Sequence, residues 1–403
     1  MKKIKIGILR ETKNPPDKRV AITPNGAAEL IQKYPNIQLV VQPGKLRCFT
    51  DEEYEQKGIK LQEDLTDCDI LLGVKEVDKQ TFIPGKTYLF FAHVAKQQPY
   101  NKDMFKAMIA NNITLIDYEY LTRKNGTRLV AFGRWAGIVG AYNGLRARGL
   151  RTGFFRLKPA FEYRDMSEMF AELAKITFKN IKIVVTGGGR VAHGAMETLN
   201  AAGITKVSPD DFLTKSFNHI VYTQLEPWHY VQHKKGDAFD LQHFFEHPQQ
   251  YISKFEPYLK VADIFIACHF WDPQSPVFFN KEQLQNPDFN ISVIADVSCD
   301  IERPIPTTLR ASTIAEPFYD VEKNSCSERP PFSDPASHVT VMAIDNLPGE
   351  LPRDSAEDFC SALINNVFDS LLSVDAESII ENATILKNGQ ITPHFSHLHN
   401  YIK

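Results

Sequence analysis

The run Ile183-Val184-Val185-Thr186-Gly187-Gly188-Gly189-Arg190-Val191-Ala192-His193-Gly194 constrains this chain more than any other. An apolar strand leads straight into closely spaced glycines and then into a helical pattern, the order that a dinucleotide pyrophosphate requires. Gly187 permits a tight turn, Gly189 has no Cβ to hold phosphates away from the backbone, and Ala192 is small enough for close helix packing. The helix N-terminus then offers unpaired N–H groups to an anion. Gly187, Gly188, Gly189, Arg190, Val191 and Ala192 are therefore expected to bind the cofactor. Two departures stand out. The third glycine position is alanine, and no clean strand ending in Asp or Glu follows about 20 residues on, where an NAD ribose would be held. A plain surface turn is the competing reading.

At 403 residues the chain is too long for one ordinary core and predicts two domains. A hydrophobic content of 43%, with 27 Phe and 14 Tyr, supplies the apolar area. A formal charge of −3 gives no global reason to expect nucleic acid or an anionic membrane as partner. The start, Met1 to Arg10, reads as a first strand rather than a signal peptide, and no apolar run is long enough to span a membrane. Six cysteines without metal or disulfide spacing suit a reducing cytoplasm. A monomer or small homo-oligomer is expected.

Strand-like runs at 5–9, 38–41, 69–75, 88–93 and 114–118 alternate with helical stretches at 26–33, 51–57 and 101–110. A second series follows from Lys182, with strands at 219–224, 263–267 and 292–297 and a helix-like region over 241–259. Residues 135–150 read as a connecting helix despite their glycines, 129–132 as strand-like, and 356–372 as a helix. The prediction is an α/β chain with two Rossmann-like domains, mostly parallel sheets and an interdomain cleft. Its divisions are 1–134 for the first part of a substrate domain, 135–346 for the dinucleotide-binding domain, and 347–403 for a return to the substrate domain.

Lys75 and His93 each close a predicted parallel strand, so both belong at the carboxyl edge where open α/β sheets bind ligands. A desolvated lysine can accept a proton, and histidine exchanges protons near neutrality. A solvated Lys75 and a backbone-bonded His93 are the plainer alternatives. The forked guanidinium groups of Arg19 and Arg128 suit substrate carboxylates, with surface salt bridges as the alternative. Gln98 is a candidate for a polar rim, and Glu11, Glu76 and Glu119 can orient the cations. Asp300, just beyond a strand-like run, can serve the nicotinamide end of a cofactor or cap a turn. The pairs His229/His233 and His243/His247 have helical metal-ligand spacing but no third ligand, so no metal is expected.

Several segments together resemble a known family. These are Arg10-Glu11-Thr12-Lys13, Lys75-Glu76, Tyr88 through His93, Leu115 through Glu119, Val130 through Gly137, His247 through Phe255, Asp296 through Asp300 and Ile344 through Pro348. They are similar to lysine-forming saccharopine dehydrogenase and to the lysine-ketoglutarate reductase half of aminoadipic semialdehyde synthase. A more distant similarity joins them to alanine dehydrogenase and the nucleotide-binding transhydrogenases.

The resemblance implies a nicotinamide-dependent oxidoreductase acting on a C–N bond, with amino-acid and keto-acid substrates. It implies Lys75 and His93 as an acid-base pair, Asp300 beside the nicotinamide, and Arg19 and Arg128 as contacts to anionic substrate groups; Glu119 and Gln98, read from their positions, complete the expected substrate-binding set. NAD and NADP both remain open, with the reductase half leaning to NADP. The chain ends at Lys403, without room for a saccharopine-cleaving half. An alanine dehydrogenase-like enzyme and a noncatalytic nucleotide-sensing protein stay as alternatives.

Overall fold

The computed structural model describes residues 3–15 and 17–403, so Met1 and Lys2 of the first-strand reading lie outside it. The chain divides into two compact units, Met1–Phe132 with Pro352–Lys403, and Gly133–Leu351. In chain order the first unit begins with strands β1 (Ile4–Ile8), β2 (Ile37–Val41), β3 (Lys60–Leu61), β4 (Ile70–Leu72), β5 (Thr87–Phe90) and β6 (Thr114–Asp117). Helices α1 (Pro24–Lys33), α2 (Asp51–Glu55) and α3 (Lys102–Ala110) lie between them. The second unit holds α4 (Gly133–Thr152), α5 (Met166–Leu173), β7 (Lys182–Thr186), α6 (Arg190–Ala201), β8 (Thr205–Lys206), α7 (Pro209–Thr214) and β9 (Val221–Leu225). It continues through the hairpin strands β10 (Val231–His233) and β11 (Tyr251–Ser253) to β12 (Ile264–Ala267), β13 (Val293–Asp296), β14 (Tyr319–Glu322), β15 (Ser327–Arg329) and β16 (His338–Met342). The returning tail adds β17 (Thr384–Lys387) and β18 (Gln390–Ile391) to the first unit.

Each unit is built on an eight-stranded sheet. In the first the order is β18-β17-β6-β5-β4-β1-β2-β3, parallel from β6 to β3 with the tail strands antiparallel at one edge. In the second it is β15-β14-β16-β13-β12-β7-β9-β8, parallel from β16 to β8. Side chains alternate across a strand, so a sheet covered on both faces needs apolar residues at every position. β7 and β12 obey this rule. Ile183, Val185, Ile264 and Ile266 enter one core of the second unit, whereas Val184, Phe265 and Ala267 enter the core on the other face. This doubly covered, mostly parallel arrangement is the α/β class that the sequence pattern predicts.

Five local expectations need correction. The strand read over 69–75 is confined to Ile70–Leu72, and the one read to His93 stops at Phe90. There the buried Asp117 carboxylate takes the Ala92 N–H at 3.2 Å and bends the chain out of the ladder. The 129–132 run forms no strand; a bridge joins Thr122 to Arg128 just before it, and the Leu129 N–H donates to the Leu121 carbonyl at 2.8 Å. The helix read over 241–259 is two short helices, Leu241–Glu246 and Glu256–Val261, separated by β11. Pro248 sits where a continuous helix would need a backbone donor, and β11 pairs with β10 instead. The 356–372 run is likewise two helices, Pro352–Asn366 and Phe368–Leu372.

The glycines of α4 are explained by its partner. A Cβ on Gly137 would stand 1.8 Å from the Val191 carbonyl oxygen, and one on Gly194 would stand 2.0 Å from that of Arg134. Backbone therefore meets backbone where α4 crosses α6, and neither neighbour can swing aside. Gly137→Ala is expected to destabilise the protein by about 3 kcal/mol, the upper end of ordinary overpacking, because two helices must separate. A urea melt would register it as a lower midpoint with an unchanged slope.

Candidate functional site

In the first unit, four parallel strands deliver polar groups to one sheet edge. Past β1, the half-buried Glu11 accepts at its carboxylate the N–H groups of Val74 at 2.7 Å and Lys75 at 2.9 Å. Burial still pushes Glu11 up to about 7. These two bonds fix the backbone past β4 and so the root of the Lys75 side chain. Burial, reinforced by the charges of Arg19 and Lys13, lowers the Lys75 ammonium below its ordinary range.

Glu76 lies beside it. Its Oε1 is 2.7 Å from His93 Nδ1 and its Oε2 accepts from Lys13 Nζ at 2.9 Å. Burial opposes ionisation of Glu76, yet the bonds from His93 and Lys13 prevail and hold it at about 2. An ionised carboxylate only accepts hydrogen bonds, so Nδ1 carries the proton and Nε2 is left to exchange one. His93 itself has left-handed backbone, φ 53° and ψ 14°, a conformation that costs a non-glycine residue energy and is concentrated at working sites. The turn is held by the Asp117 bond to Ala92 and by Asn101 Nδ2 donating to the Ala92 carbonyl at 3.2 Å. Burial raises Asp117 to about 6.

The expected substrate contacts fall into distinct settings. Arg19 is 2% exposed and is paired with Asp17, Nε to Oδ1 at 2.9 Å and Nη2 to Oδ2 at 2.6 Å, with its guanidinium 4.2 Å from the centre of the Phe132 ring. Its charge enters the site already balanced. Glu119 accepts from Arg128 Nη2 at 2.6 Å and lies 3.1 Å from Lys96 Nζ. Burial raises Glu119, but those two cations outweigh it and keep the carboxyl below its usual range. Both cations are about half exposed. Gln98 is tied elsewhere, accepting from Tyr100 at its side chain and from Tyr401 at its carbonyl. The structure thus groups Lys75 with His93 through Glu11 and Glu76, and groups Arg128 with Glu119.

In the second unit, the glycine loop opens α6 as expected. Gly187 has φ 97°, and a Cβ there would press on the Cys268 carbonyl at 2.6 Å. Gly189 has nothing within 4 Å of a built Cβ, so the space in front of the helix is open to a ligand. Arg190 is exposed at the first turn, Ala192 is buried against α4, and the Val191 carbonyl makes the Gly137 approach.

One acid that the sequence reading did not single out, Glu226, stands against the glycine loop. It follows β9, the strand directly beside β7, and a Cβ on Gly188 would lie 2.2 Å from both of its carboxylate oxygens. Gln224 Nε2 holds it in place, donating to Glu226 Oε1 and to the Gly187 carbonyl, each at 2.9 Å. The available signal was the strand at 219–224, which runs one residue further to Leu225 and places Glu226 at its tip.

Asp300 lies in the loop past β13. Asp296 is buried and builds that turn, accepting from Ser298 N at 3.1 Å, Ser298 Oγ at 2.6 Å, Cys299 N at 3.1 Å and Thr308 Oγ1 at 2.6 Å. Asp300 stands half-buried past it, raised to about 6 by burial and by the Asp296 charge. His269, past β12, shares a 2.8 Å hydrogen bond with Thr186 Oγ1, and burial lowers its ring to about 3. Two histidines of the metal-spaced pairs are used locally. His229 Nδ1 accepts the Glu226 N–H at 3.0 Å, and His243 bonds the Tyr251 hydroxyl at 3.0 Å. Among the described residues no group of three or more His, Cys, Asp or Glu is arranged to hold a metal ion, and no helix is long and apolar enough to cross a membrane.

Comparison with known proteins agrees with this architecture. Residues 7–139 match the family model described as alanine dehydrogenase/PNT, N-terminal domain. The chain is 27% identical to the mitochondrial alpha-aminoadipic semialdehyde synthase of Rattus norvegicus over 98% of its own length and 47% of that protein, so it spans about half of that relative. It is 28% identical to the NAD(+), L-lysine-forming saccharopine dehydrogenase of Neurospora crassa, covering 86% of each chain. A solved L-alanine dehydrogenase superposes with a TM-score of 0.65 at 15% identity, covering 99% of this chain and 100% of that one.

Proposed function

We propose that this chain, which belongs to the lysine-forming saccharopine dehydrogenase and lysine-ketoglutarate reductase family within the alanine dehydrogenase and transhydrogenase superfamily, reversibly reduces the imine of lysine and 2-oxoglutarate. The observation that carries the reading is the acid-base group of Lys75 and the Glu76-bound His93 at one sheet edge, in a chain whose similarity to those relatives is nearly full-length.

The glycine loop fits a dinucleotide. Gly187 to Ala192 would take the pyrophosphate, Glu226 the hydroxyls of the adenosine ribose, and Asp300 the nicotinamide end. The sequence leaned to NADP; a carboxylate at Glu226 supports NAD instead, because it accepts ribose hydroxyls and repels a 2′-phosphate. When bound, the nicotinamide supplies or accepts the hydride.

The protein's own groups handle protons and carboxylates. Lys75, lowered by burial and by neighbouring cations, takes the proton from the substrate ammonium so that a free amine can attack the ketone. The His93 imidazolium, stabilised by the ionised Glu76, donates its Nε2 proton to the carbinolamine hydroxyl, which leaves as water and yields the protonated imine. Arg128 and Lys96 meet substrate carboxylates with Glu119 orienting them, and the Arg19 and Asp17 pair shapes the electrostatics around Lys75.

The test is a matrix of amino donors and keto acids, followed by oxidation of NADH and NADPH in parallel. Lysine with 2-oxoglutarate is expected to give NADH-dependent saccharopine formation. Selective amination of pyruvate by ammonia would instead assign an alanine dehydrogenase-like reaction, and tight cofactor binding without turnover a sensor.

A further inference from the structure

The loop past β5 that carries His93 and Lys96 has a conformation that its own residues do not favour. Its Val94–Lys96 turn is bracketed by two left-handed residues, His93 at φ 53° and Gln97 at φ 55°. Non-glycine residues occupy that region at a cost, so surrounding contacts must impose it. At the His93 end, Ala92 is held at its N–H by Asp117 and at its carbonyl by Asn101 Nδ2. At the other end, the Gln98 carbonyl accepts the Asn101 N–H at 3.0 Å and also the Tyr401 hydroxyl. Tyr401 belongs to the last helix of the returning tail, Leu398–Tyr401, 303 residues further along the chain.

The same tail segment reaches the neighbouring loop past β6. Phe395 packs edge-on against Tyr120, the residue after Glu119, with ring centres 5.0 Å apart. Lys96 from one loop and Glu119 from the other meet at 3.1 Å. Phe395 and Tyr401 are both buried, and the Tyr401 ring lies 6.2 Å from that of Phe105, so each anchor is a packed side chain. One short segment thus touches both loops beside the ion pair that joins them. We propose that Phe395–Tyr401 is a brace that positions Lys96 against Glu119 for a substrate carboxylate, with the Tyr401 hydroxyl as its specific link to the turn. The inference rests on the reading of Lys96 as a carboxylate contact in the proposed reaction. Because the His93 end is held independently by Asp117 and Asn101, loss of the Tyr401 hydroxyl loosens the Lys96 end and spares His93. Tyr401 is a positioning residue, acting on substrate binding through Lys96.

Tyr401→Phe removes only the hydroxyl and keeps the ring against Phe105. Hydrogen exchange of the intact, substrate-free protein is followed by mass spectrometry. The turn amides, among them the Gln97 N–H bonded to the Val94 carbonyl at 2.9 Å, are expected to exchange about three- to tenfold faster in the variant, the worth of one hydrogen bond. Those of β17 should not change, which shows that the tail is still folded. In steady-state assays with lysine, 2-oxoglutarate and NADH, Lys96→Met should raise KM for the substrate whose carboxylate Lys96 meets. Tyr401→Phe should raise that same KM by about three- to tenfold, with kcat and the KM for NADH within about twofold of wild type. Added to Lys96→Met, it should raise the KM no further, because the two act through one contact. Unchanged exchange in the turn, faster exchange spreading to β17, a fall in kcat without a rise in KM, or full additivity with Lys96→Met would overturn the proposal. If wild-type protein forms no saccharopine, the functional reading fails, while the exchange measurement, which needs no substrate, still decides the brace.

Discussion

Replacing His93 by Gln is expected to lower kcat for lysine and 2-oxoglutarate by about 10²–10⁴-fold, the ordinary contribution of a positioned acid-base group. The neutral amide keeps a polar side chain in the turn but cannot exchange a proton. Glu76, held at about 2, stays ionised across the working range and keeps Nδ1 as the donor, so Glu76→Gln should lower kcat as well, but by less. If His93→Gln retained kcat, His93 would be a turn residue whose left-handed backbone serves only the fold.

The second large effect concerns cofactor choice. Wild-type protein is expected to favour NADH over NADPH by about 100-fold in kcat/KM. The estimate combines a charge-assisted bond of about 1.5–3 kcal/mol from a ribose hydroxyl to Glu226 with the cost of bringing a phosphate against a carboxylate. Glu226→Ser should remove both, lowering kcat/KM with NADH about tenfold or more and raising it with NADPH. Steady-state kinetics with both cofactors checks this directly. An unchanged ratio would separate Glu226 from the ribose, and its contact with the glycine loop would then be structural.

Glu226 also shows where the sequence stopped being legible. The β7 strand, the glycine turn and α6 could be read because burial on both faces, tight turning and helix initiation each demand local residue types. The acid could not be read from spacing, because β8 and α7 intervene and carry β9 further along the chain than the usual interval allows. Ser208 starts α7, its hydroxyl accepting the Asp211 N–H at 3.1 Å. The parallel strands placed Lys75 and His93 on one edge, but nothing local revealed that Glu11, Glu76 and Asp117 build the backbone and charge around them. Those are contacts between strand ends far apart in sequence. The region over 241–259 misled for the opposite reason. Its aromatic spacing satisfies a helical period, yet Phe244, Tyr251 and Phe255 reach one core from two helical segments and a strand. Gln98, plausible as a rim residue from its neighbours, is held by two tyrosines instead.

The most direct measurement follows the hydride itself. NADH deuterated at the transferable nicotinamide position is supplied with lysine and 2-oxoglutarate, and the products are separated and analysed by mass spectrometry. A single deuterium is expected in saccharopine, on the former keto carbon now bonded to the lysine side-chain nitrogen. Saccharopine without deuterium, or deuterium found only in alanine when pyruvate and ammonia are also offered, would contradict the assignment.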